Sequence, residues 1–282
     1  TDITSHHAII GVAFVVDNYP LYYDAVNEKG LGIAGLNFPG NADYKPEEKG
    51  RDNIAPFELI PWILSQCSSV SEAETLLSRI NIINTNFSDT LPLSPLHWMI
   101  ADKNRAITVE AVKDGVKVFE NPVHVLTNNP GFDMQMFSLN NYMSCSAKPP
   151  LNSFSTHLNL ETYSRGMGGL GLPGDLSSQS RFIKAAFTRA NSVSKTSESE
   201  SISQFFHILG SAAQQRGCVD LGNNKYEYTI YTSCCNTDKG IFYYTTYENS
   251  QVSAVDMRKE NLDSDKLVSY PMIKDQQIKM QN

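Results

Sequence analysis

The sequence lacks the features that are typical of proteins that bind nucleic acids or membranes. It has no run rich in lysine and arginine, and its 23 basic against 30 acidic residues give a formal charge of −7. Nucleic acids and anionic membranes bind to positively charged protein surfaces. This chain has no such cluster of basic residues, so neither is expected as a partner. The longest apolar stretches, such as residues 8–16, end well before the roughly twenty residues that a membrane-spanning helix needs. We therefore expect a globular, water-soluble protein that spans no membrane.

Cysteine is scarce and irregularly spaced. The chain has five cysteines, with an adjacent pair at Cys234 and Cys235, but no CxxC and no spacing typical of zinc ligands. We expect neither a disulfide framework nor a metal site, and no cofactor. Unpaired thiols are typical of the reducing cytoplasm, where we expect the protein to reside. The adjacent pair is interpreted as two buried thiols in a strand, with a strained redox disulfide as the alternative.

Several common catalytic motifs are also missing, among them GxSxG, HExxH and the phosphate-binding P-loop. The run GMGGLG at 166–171 matches the dinucleotide-binding pattern GxGxxG, but it neither follows a buried strand nor opens directly into a helix. We expect these glycines to let backbone segments pass close together, and Ser177 or Ser178 to cap the helix that carries Arg181. His97 is interpreted as a hydrogen-bonded histidine of the core.

Apolar periodicity predicts the elements of the fold. Strands are predicted at 8–16, 32–38, 96–101, 107–112, 116–119, 124–127, 226–235, 241–247 and 251–257, and helices are predicted as a pair within 56–81 and at 181–190 and 202–213. A turn is predicted at Tyr19–Pro20, a capping box at Ser71-x-x-Glu74, and a β-hairpin around the KDG of 113–115. Strands and helices do not alternate regularly, so we predict an α+β fold in which helices cover stacked antiparallel sheets. Residues 1–282 are expected to form a single domain.

Five longer motifs occur in one order along the chain. They are YYDAVNEKGLGIAGLNF at 22–38, PLSPLHW at 92–98, LTNNP at 126–130, GLPGDLSSQSRF at 171–182 and YTIYTSC at 228–234. Together they resemble the bile salt hydrolases, also called choloylglycine or conjugated bile acid hydrolases, of intestinal lactic acid bacteria. The resemblance runs from about residue 7 to the C-terminus.

The resemblance implies a fold, an activity and an assembly. The family belongs to the N-terminal nucleophile hydrolases, whose four-layer αββα sandwich agrees with the predicted α+β fold. Its members cleave the amide bond of bile salts conjugated to glycine or taurine, such as glycocholate and taurocholate, and are usually cytoplasmic homotetramers. In the family an N-terminal cysteine attacks the amide, and its own α-amino group serves as the base.

The resemblance also implies the roles of individual residues. By position, Asn37 and Asn128 correspond to the family's oxyanion-stabilising asparagines, and Arg181 to the arginine beside the nucleophile. Amide N–H groups suit that task because they stabilise a developing O⁻ without adding charge. Four apolar or aromatic residues fall on two loops that hold the steroid in the family: Val16, Tyr23, Phe87 and Leu91.

One part of the family pattern has no counterpart here. The segment that carries the nucleophilic cysteine, with its aspartate and arginine partners, does not match any part of residues 1–282, and we expect these residues alone to be inactive. Thr1 is a conceivable terminal nucleophile, but the sequence after it matches the family's interior. Two alternatives stay open. One is an acylase for penicillin V or acylated lactones, since related penicillin V acylases often carry tyrosine where Asn37 stands; the other is a non-catalytic fragment that binds bile acids.

Overall fold

The computed structural model of the chain describes residues 5–282, so Thr1 lies outside the described residues. The strands are β1 (Ile9–Val16), β2 (Tyr19–Asn27), β3 (Gly32–Asn37), β4 (Asp52–Ile54), β5 (Ile80–Ile82), β6 (Leu96–Ala101), β7 (Ala106–Val112), β8 (Gly115–Glu120), β9 (Asp220–Gly222), β10 (Lys225–Tyr226), β11 (Tyr231–Asn236), β12 (Ile241–Thr246) and β13 (Ser253–Asp256). The α-helices are α1 (Leu59–Gln66), α2 (Val70–Leu77), α3 (Phe132–Ser138), α4 (Ser178–Asn191) and α5 (Glu198–Gly210).

Six strands form the large sheet, in the order β1-β2-β3-β6-β7-β8, and every neighbouring pair is antiparallel. The turn between β1 and β2 consists of Asp17 and Asn18, both with positive φ (49° and 62°). Such a two-residue turn matches the twist of a hairpin, and Asp and Asn tolerate the left-handed backbone it needs. The turn predicted at Tyr19–Pro20 is therefore wrong, because both residues already belong to β2.

A second antiparallel sheet, β11-β12-β13, lies against the first. The contact includes a buried polar link, in which the Tyr231 hydroxyl and the Ser233 hydroxyl (3.0 Å) donate to the Asp24 carboxylate on β2. Burial between the sheets raises the pKa of Asp24. Helix α1 packs on the outer face of the large sheet against β2 and β3, and α5 packs against β11. Helices therefore cover stacked antiparallel sheets, which confirms the predicted fold class.

Apolar side chains of α1 and α2 fill the space above the large sheet. Leu59, Ile63 and Leu64 of α1 are fully buried against a sheet face that includes Trp98 and Ile107. Each such side chain contributes roughly 1.5–3 kcal/mol of transfer free energy. The core therefore fixes the strands of the large sheet, and with them the loops at the ends of those strands.

The helix starts differ in part from the predicted ones. At α2 the cap is Ser69, whose side chain accepts from the Glu72 backbone N–H, while the Glu72 carboxylate accepts from the Ser68 N–H at 2.7 Å. The predicted box at Ser71 and Glu74 is therefore displaced by two residues. At α4, Ser177 accepts from the Ser180 N–H and confirms one of the two predicted caps.

Two loop predictions also have clear outcomes. Residues 124–127 form no strand, because His124 has a positive φ of 50° and the Asn121 side chain donates to the Val125 carbonyl at 3.0 Å. The prediction for GMGGLG is confirmed at Gly168, where an added Cβ would lie 2.0 Å from the Lys148 carbonyl oxygen.

None of the helices described within residues 5–282 is long and apolar enough to cross a bilayer.

Candidate active site

Asn37 and Asn128 meet at one end of the large sheet. Asn37 is the last residue of β3 and pairs with Leu96 at the start of β6. Asn128 follows Thr127 in the loop that leads to α3, and its Nδ2 donates to the Asn37 backbone carbonyl at 2.8 Å. The neighbouring Asn129 Nδ2 donates to the Pro39 carbonyl at 2.7 Å. Two side-chain amides therefore fasten this loop, which we call the 127–132 loop, to the end of β3.

Arg181 fixes the orientation of the Asn128 amide. One terminal guanidinium nitrogen donates to Asn128 Oδ1 at 2.7 Å, and Nε donates to the Leu176 carbonyl at 3.1 Å. A guanidinium can only donate and a carbonyl can only accept, so the oxygen of the amide must face Arg181 and the nitrogen must face Asn37. Arg181 is half-buried, and desolvation lowers its pKa from the usual 12.5, an effect that Glu227 opposes.

This arrangement leaves hydrogen-bond donors for a ligand. Asn128 Nδ2 has two N–H bonds and uses one on Asn37, and within residues 5–282 the Asn37 side-chain amide has no hydrogen-bond partner. Asn37 is exposed and Asn128 is half-buried. Such neutral donors, held beside a cation, suit the stabilisation of an oxygen that becomes negative during a reaction.

A buried polar network lies beneath the 127–132 loop. Gln135 is fully buried, and its Nε2 donates to the carbonyls of Asn128 (2.6 Å) and Pro130 (2.8 Å). The Thr127 hydroxyl bonds to Gln135 Oε1 at 3.0 Å and to Ser178 at the start of α4. No sequence pattern predicts the role of Gln135 or of the Thr127 hydroxyl in this network. Hydrogen bonds between the backbone carbonyls of a loop and side chains of other elements depend on tertiary packing. The spacing of residues along the sequence does not predict them.

His97 also belongs to this network. It is fully buried, its Nε2 lies 2.6 Å from the Thr127 carbonyl oxygen, and its Nδ1 lies 3.1 Å from Glu110 Oε1. The interpretation of His97 as a hydrogen-bonded core residue is confirmed.

The turn before α4 places Arg181. Asp175 accepts from the Ser177 N–H at 2.9 Å and from the Ser180 hydroxyl at 2.6 Å. Hydrogen bonds from Ser177 and Ser180 lower the pKa of Asp175 to about 2. The carboxylate is therefore ionised at neutral pH and holds the first turn of α4 at Ser177 and Ser180, which lie four residues and one residue before Arg181.

The predicted steroid-binding residues are only partly brought together. Phe87 packs against Tyr19 (5.5 Å between ring centroids) and Phe57 (5.2 Å), and Tyr19 is the strand partner of Val16. We call Tyr19, Phe57 and Phe87 the aromatic cluster. Because β2 begins where antiparallel β3 ends, the cluster lies at the same end of the sheet as Asn37.

The other two residues are not part of the ring contacts that define the aromatic cluster. Tyr23 is the extra residue of a β-bulge opposite Val12 and Ala13, and it is exposed. Leu91 is half-buried and closes a tight turn by backbone hydrogen bonds with Ser88. Among the described residues, the Tyr23 ring makes no aromatic contact with the cluster.

The cysteines of the described chain are all unpaired. Burial raises the pKa of the Cys67 thiol to about 11, and the pKa of Cys234 and of Cys235 to about 12. These three thiols are therefore protonated at neutral pH and are poor nucleophiles. The interpretation of Cys234 and Cys235 as strand thiols is confirmed, although Cys235 is only half-buried. Among residues 5–282 no group of three or more His, Cys, Asp or Glu side chains is placed to hold a metal ion.

Comparison with known proteins identifies the family of the chain. The profile of the linear amide C–N hydrolases, choloylglycine hydrolase family, matches residues 1–270. A bile salt hydrolase/transferase of Lactiplantibacillus plantarum is 59% identical over 271 residues, which cover 96% of this chain and 84% of that protein. The crystal structure of a variant conjugated bile acid hydrolase from Clostridium perfringens superposes with a TM-score of 0.91 at 38% identity, covering 99% of this chain and 86% of that one.

A more distant structure shows the fold alone. Penicillin V acylase from Agrobacterium tumefaciens superposes with a TM-score of 0.65 at 20% identity, covering 86% of this chain and 68% of that one. On the profile and the close relatives together, the chain belongs to the choloylglycine hydrolase family of linear amide C–N hydrolases.

Proposed function

We propose that the protein hydrolyses the amide bond of glycine- and taurine-conjugated bile salts and releases the free bile acid and the amino acid. The names of the close relatives support this substrate class. The observation that carries the proposal is the Asn128 amide, whose oxygen is held by Arg181 and whose nitrogen is held toward Asn37. This leaves one N–H of Asn128, with the amide of Asn37, for the carbonyl oxygen of a scissile amide.

The reaction we propose proceeds through an acyl-enzyme. A thiol attacks the carbonyl carbon as a C–S bond forms, the thiol proton passes to an amine base, and the carbonyl π electrons move to oxygen. Asn37 and Asn128 donate to that oxyanion. When the carbonyl re-forms, the C–N bond breaks, and glycine or taurine leaves with the proton from the base. Water then hydrolyses the thioester by the same two steps.

The thiol we propose is that of an N-terminal cysteine, whose own α-amino group is the base. An α-amino group titrates at about 8, so it accepts a proton near neutral pH. The five cysteines of residues 1–282 are all internal, and the high pKa of Cys67, Cys234 and Cys235 argues against those three. Activity is therefore to be measured on a form of the protein that begins at such a cysteine, which is the form meant by the intact protein.

Release of amine from three substrates tests the proposed substrate class. We expect release from glycocholate and taurocholate to exceed release from penicillin V. A faster reaction with penicillin V or an acylated lactone would favour the acylase alternative. Binding of taurocholate with no amine released would favour a non-catalytic bile-acid-binding protein.

We propose that the steroid binds at the end of the sheet that carries the aromatic cluster, with Val16, Tyr23, Phe87 and Leu91 around it. An apolar rim with few polar groups suits a rigid amphipathic sterol. The half-buried Phe87 has one part of its ring packed in the cluster and another part exposed to a ligand.

Truncation of Phe87 tests this site. We expect Phe87→Ala to raise KM for taurocholate about tenfold, which is about 1.4 kcal/mol of lost apolar contact, with a smaller effect on kcat. Phe205→Ala removes another partly exposed ring, on α5, and should leave KM unchanged. A lower melting temperature with an unchanged KM would show that Phe87 only packs the cluster.

We also propose that the protein is one domain that assembles as a cytoplasmic homotetramer. Large apolar side chains are concentrated on the surface of the 143–163 segment, where Met143, Leu151, Phe154 and Tyr163 are each more than 80% exposed. A patch of this kind is typical of a contact with another protein chain. The free cysteines support the reducing compartment.

Charge in the 143–163 segment tests the assembly. The double variant Leu151→Asp, Phe154→Asp should shift the mass measured by light scattering from tetramer to smaller species, because a carboxylate is costly to bury in an interface. The double variant Val193→Asp, Val118→Asp also places charges on exposed apolar positions outside the segment and should remain tetrameric. A tetramer that persists in the first variant would place the interface elsewhere.

A further inference from the structure

His97 and Glu110 form a buried polar pair that the proposed reaction does not use. They lie directly opposite each other on β6 and β7, with only 0% and 2% of their surfaces exposed. His97 Nδ1 is 3.1 Å from Glu110 Oε1. Compared with apolar side chains of similar volume, a buried pair of this type adds little net stability. A role in stability alone therefore does not explain it.

The pair contacts both ends of the 127–132 loop. His97 Nε2 bonds to the Thr127 carbonyl at 2.6 Å, where the loop begins. Glu110 Oε1 accepts from the Phe132 N–H at 2.9 Å, where the loop ends and α3 starts. Asn128 lies between these two anchors. The buried Gln135 supports the loop as well, through bonds to two carbonyls inside it.

The same histidine also supports the strand end that carries Asn37. The ring of Phe38, the next residue, stacks on the His97 imidazole with 4.2 Å between centroids and 7° between planes. Phe38 is 1% exposed, so the stack is enclosed. One side chain therefore contacts the neighbours of both asparagines, on two separate chain segments.

We infer that His97 and Glu110 are positioning residues, which hold Asn37 and Asn128 at the separation that the oxyanion requires. This inference rests on the proposed role of Asn128 as an oxyanion donor. Displacement of a donor by about 1 Å can reduce turnover about a hundredfold while substrate binding elsewhere is kept. The pair should therefore affect kcat more than KM.

Single substitutions in the intact protein measure this effect. His97→Gln removes the ring stack and one of the two ring contacts, and we expect kcat for taurocholate to fall about tenfold to a hundredfold, with KM within about twofold. Glu110→Gln keeps an acceptor for the Phe132 N–H and the shape of the side chain, so its loss should be smaller. Should His97→Gln fail to fold, Glu110→Gln still measures the effect.

Asn27 provides the matched control. It is equally buried, donates to the carbonyls of Leu64 and Cys67, and lies at the opposite end of the large sheet. Asn27→Ala should lower the melting temperature and leave kcat within about twofold of the parent. A control that loses kcat as much as His97→Gln would show that the effect is general destabilisation, and the inference would be wrong.

A double-mutant cycle with Asn128 separates the inference from the proposal it rests on. If His97 acts through the two asparagines, adding His97→Gln to Asn128→Ala lowers kcat by a smaller factor than His97→Gln does in the parent, because only its effect on Asn37 remains. Additive losses would overturn the positioning role while leaving the oxyanion role in place. If Asn128→Ala alone keeps normal kcat, the oxyanion role fails, and the inference fails with it. If Asn128→Ala is impaired and His97→Gln is not, only the inference fails.

Discussion

Asn128→Ala is expected to lower kcat by about 10²–10³-fold and to leave KM nearly unchanged. Loss of one oxyanion donor typically costs about 2.7–4 kcal/mol of transition-state stabilisation. The ground-state carbonyl accepts a weaker hydrogen bond than the oxyanion does, so the loss should fall on kcat. Steady-state hydrolysis of taurocholate by the intact protein measures both parameters.

Asn128→Asp is the matched variant for this prediction. The carboxylate has the size of the amide and still accepts from Arg181, but it has no N–H to donate to an oxyanion or to the Asn37 carbonyl. We expect Asn128→Asp to lose at least as much kcat as Asn128→Ala. Retained turnover in the aspartate variant would show that the N–H groups of Asn128 are not needed, and the oxyanion role would be wrong.

An exposed asparagine gives the negative control. Asn140 Nδ2 makes one local hydrogen bond, to the Phe137 carbonyl at 2.7 Å. Asn140→Ala should therefore leave both kcat and KM unchanged. A loss of activity in this variant would mean that the assay responds to assembly or stability, since Asn140 lies outside the candidate site.

The sequence predicts most of the sheet but fewer of the details at its ends. Continuous apolar runs locate β1, β3, β6 and β7 because a buried strand must be apolar along its length. β2 is missed, because Pro20 and the bulge at Tyr23 interrupt its pattern. The first and last residues of elements depend on single capping or turn contacts, which explains the displaced turn and the displaced capping box.

The candidate site is predicted less completely, and for a physical reason. Asn128, between Thr127 and Pro130, looks like an ordinary turn residue, and only the family resemblance marks it. Its partners Gln135 and Arg181 approach it from α3 and α4, and a contact that depends on tertiary packing leaves no local pattern. His97 illustrates the same limit. The sequence predicts its burial, but it does not predict its contacts with the Thr127 carbonyl and the Phe38 ring.

The second large effect is expected at Arg181. Arg181→Ala should lower kcat about a hundredfold, because the Asn128 oxygen loses the donor that sets the orientation of its amide, and a positive charge near the oxyanion is removed. The fold should survive. The hydrogen bonds of Arg181 go to neutral oxygens, so no buried carboxylate is left unpaired, and the Leu176 carbonyl keeps a contact from Gln214 at 3.5 Å.

Two further variants show whether the geometry or only the charge of Arg181 matters. Arg181→Lys keeps the charge but has no planar fork to reach both the Leu176 carbonyl and Asn128, so we expect about a tenfold loss of kcat. Arg189→Ala, at an exposed position in the last turn of the same helix, should retain parental kcat.

Guanidinium added to Arg181→Ala below denaturing concentrations should restore part of the lost turnover. Unchanged kcat in Arg181→Ala, with only a lower melting temperature, would show that Arg181 is a packing residue of α4 and that the hydrogen bond to the Asn37 carbonyl is enough to orient the Asn128 side-chain amide.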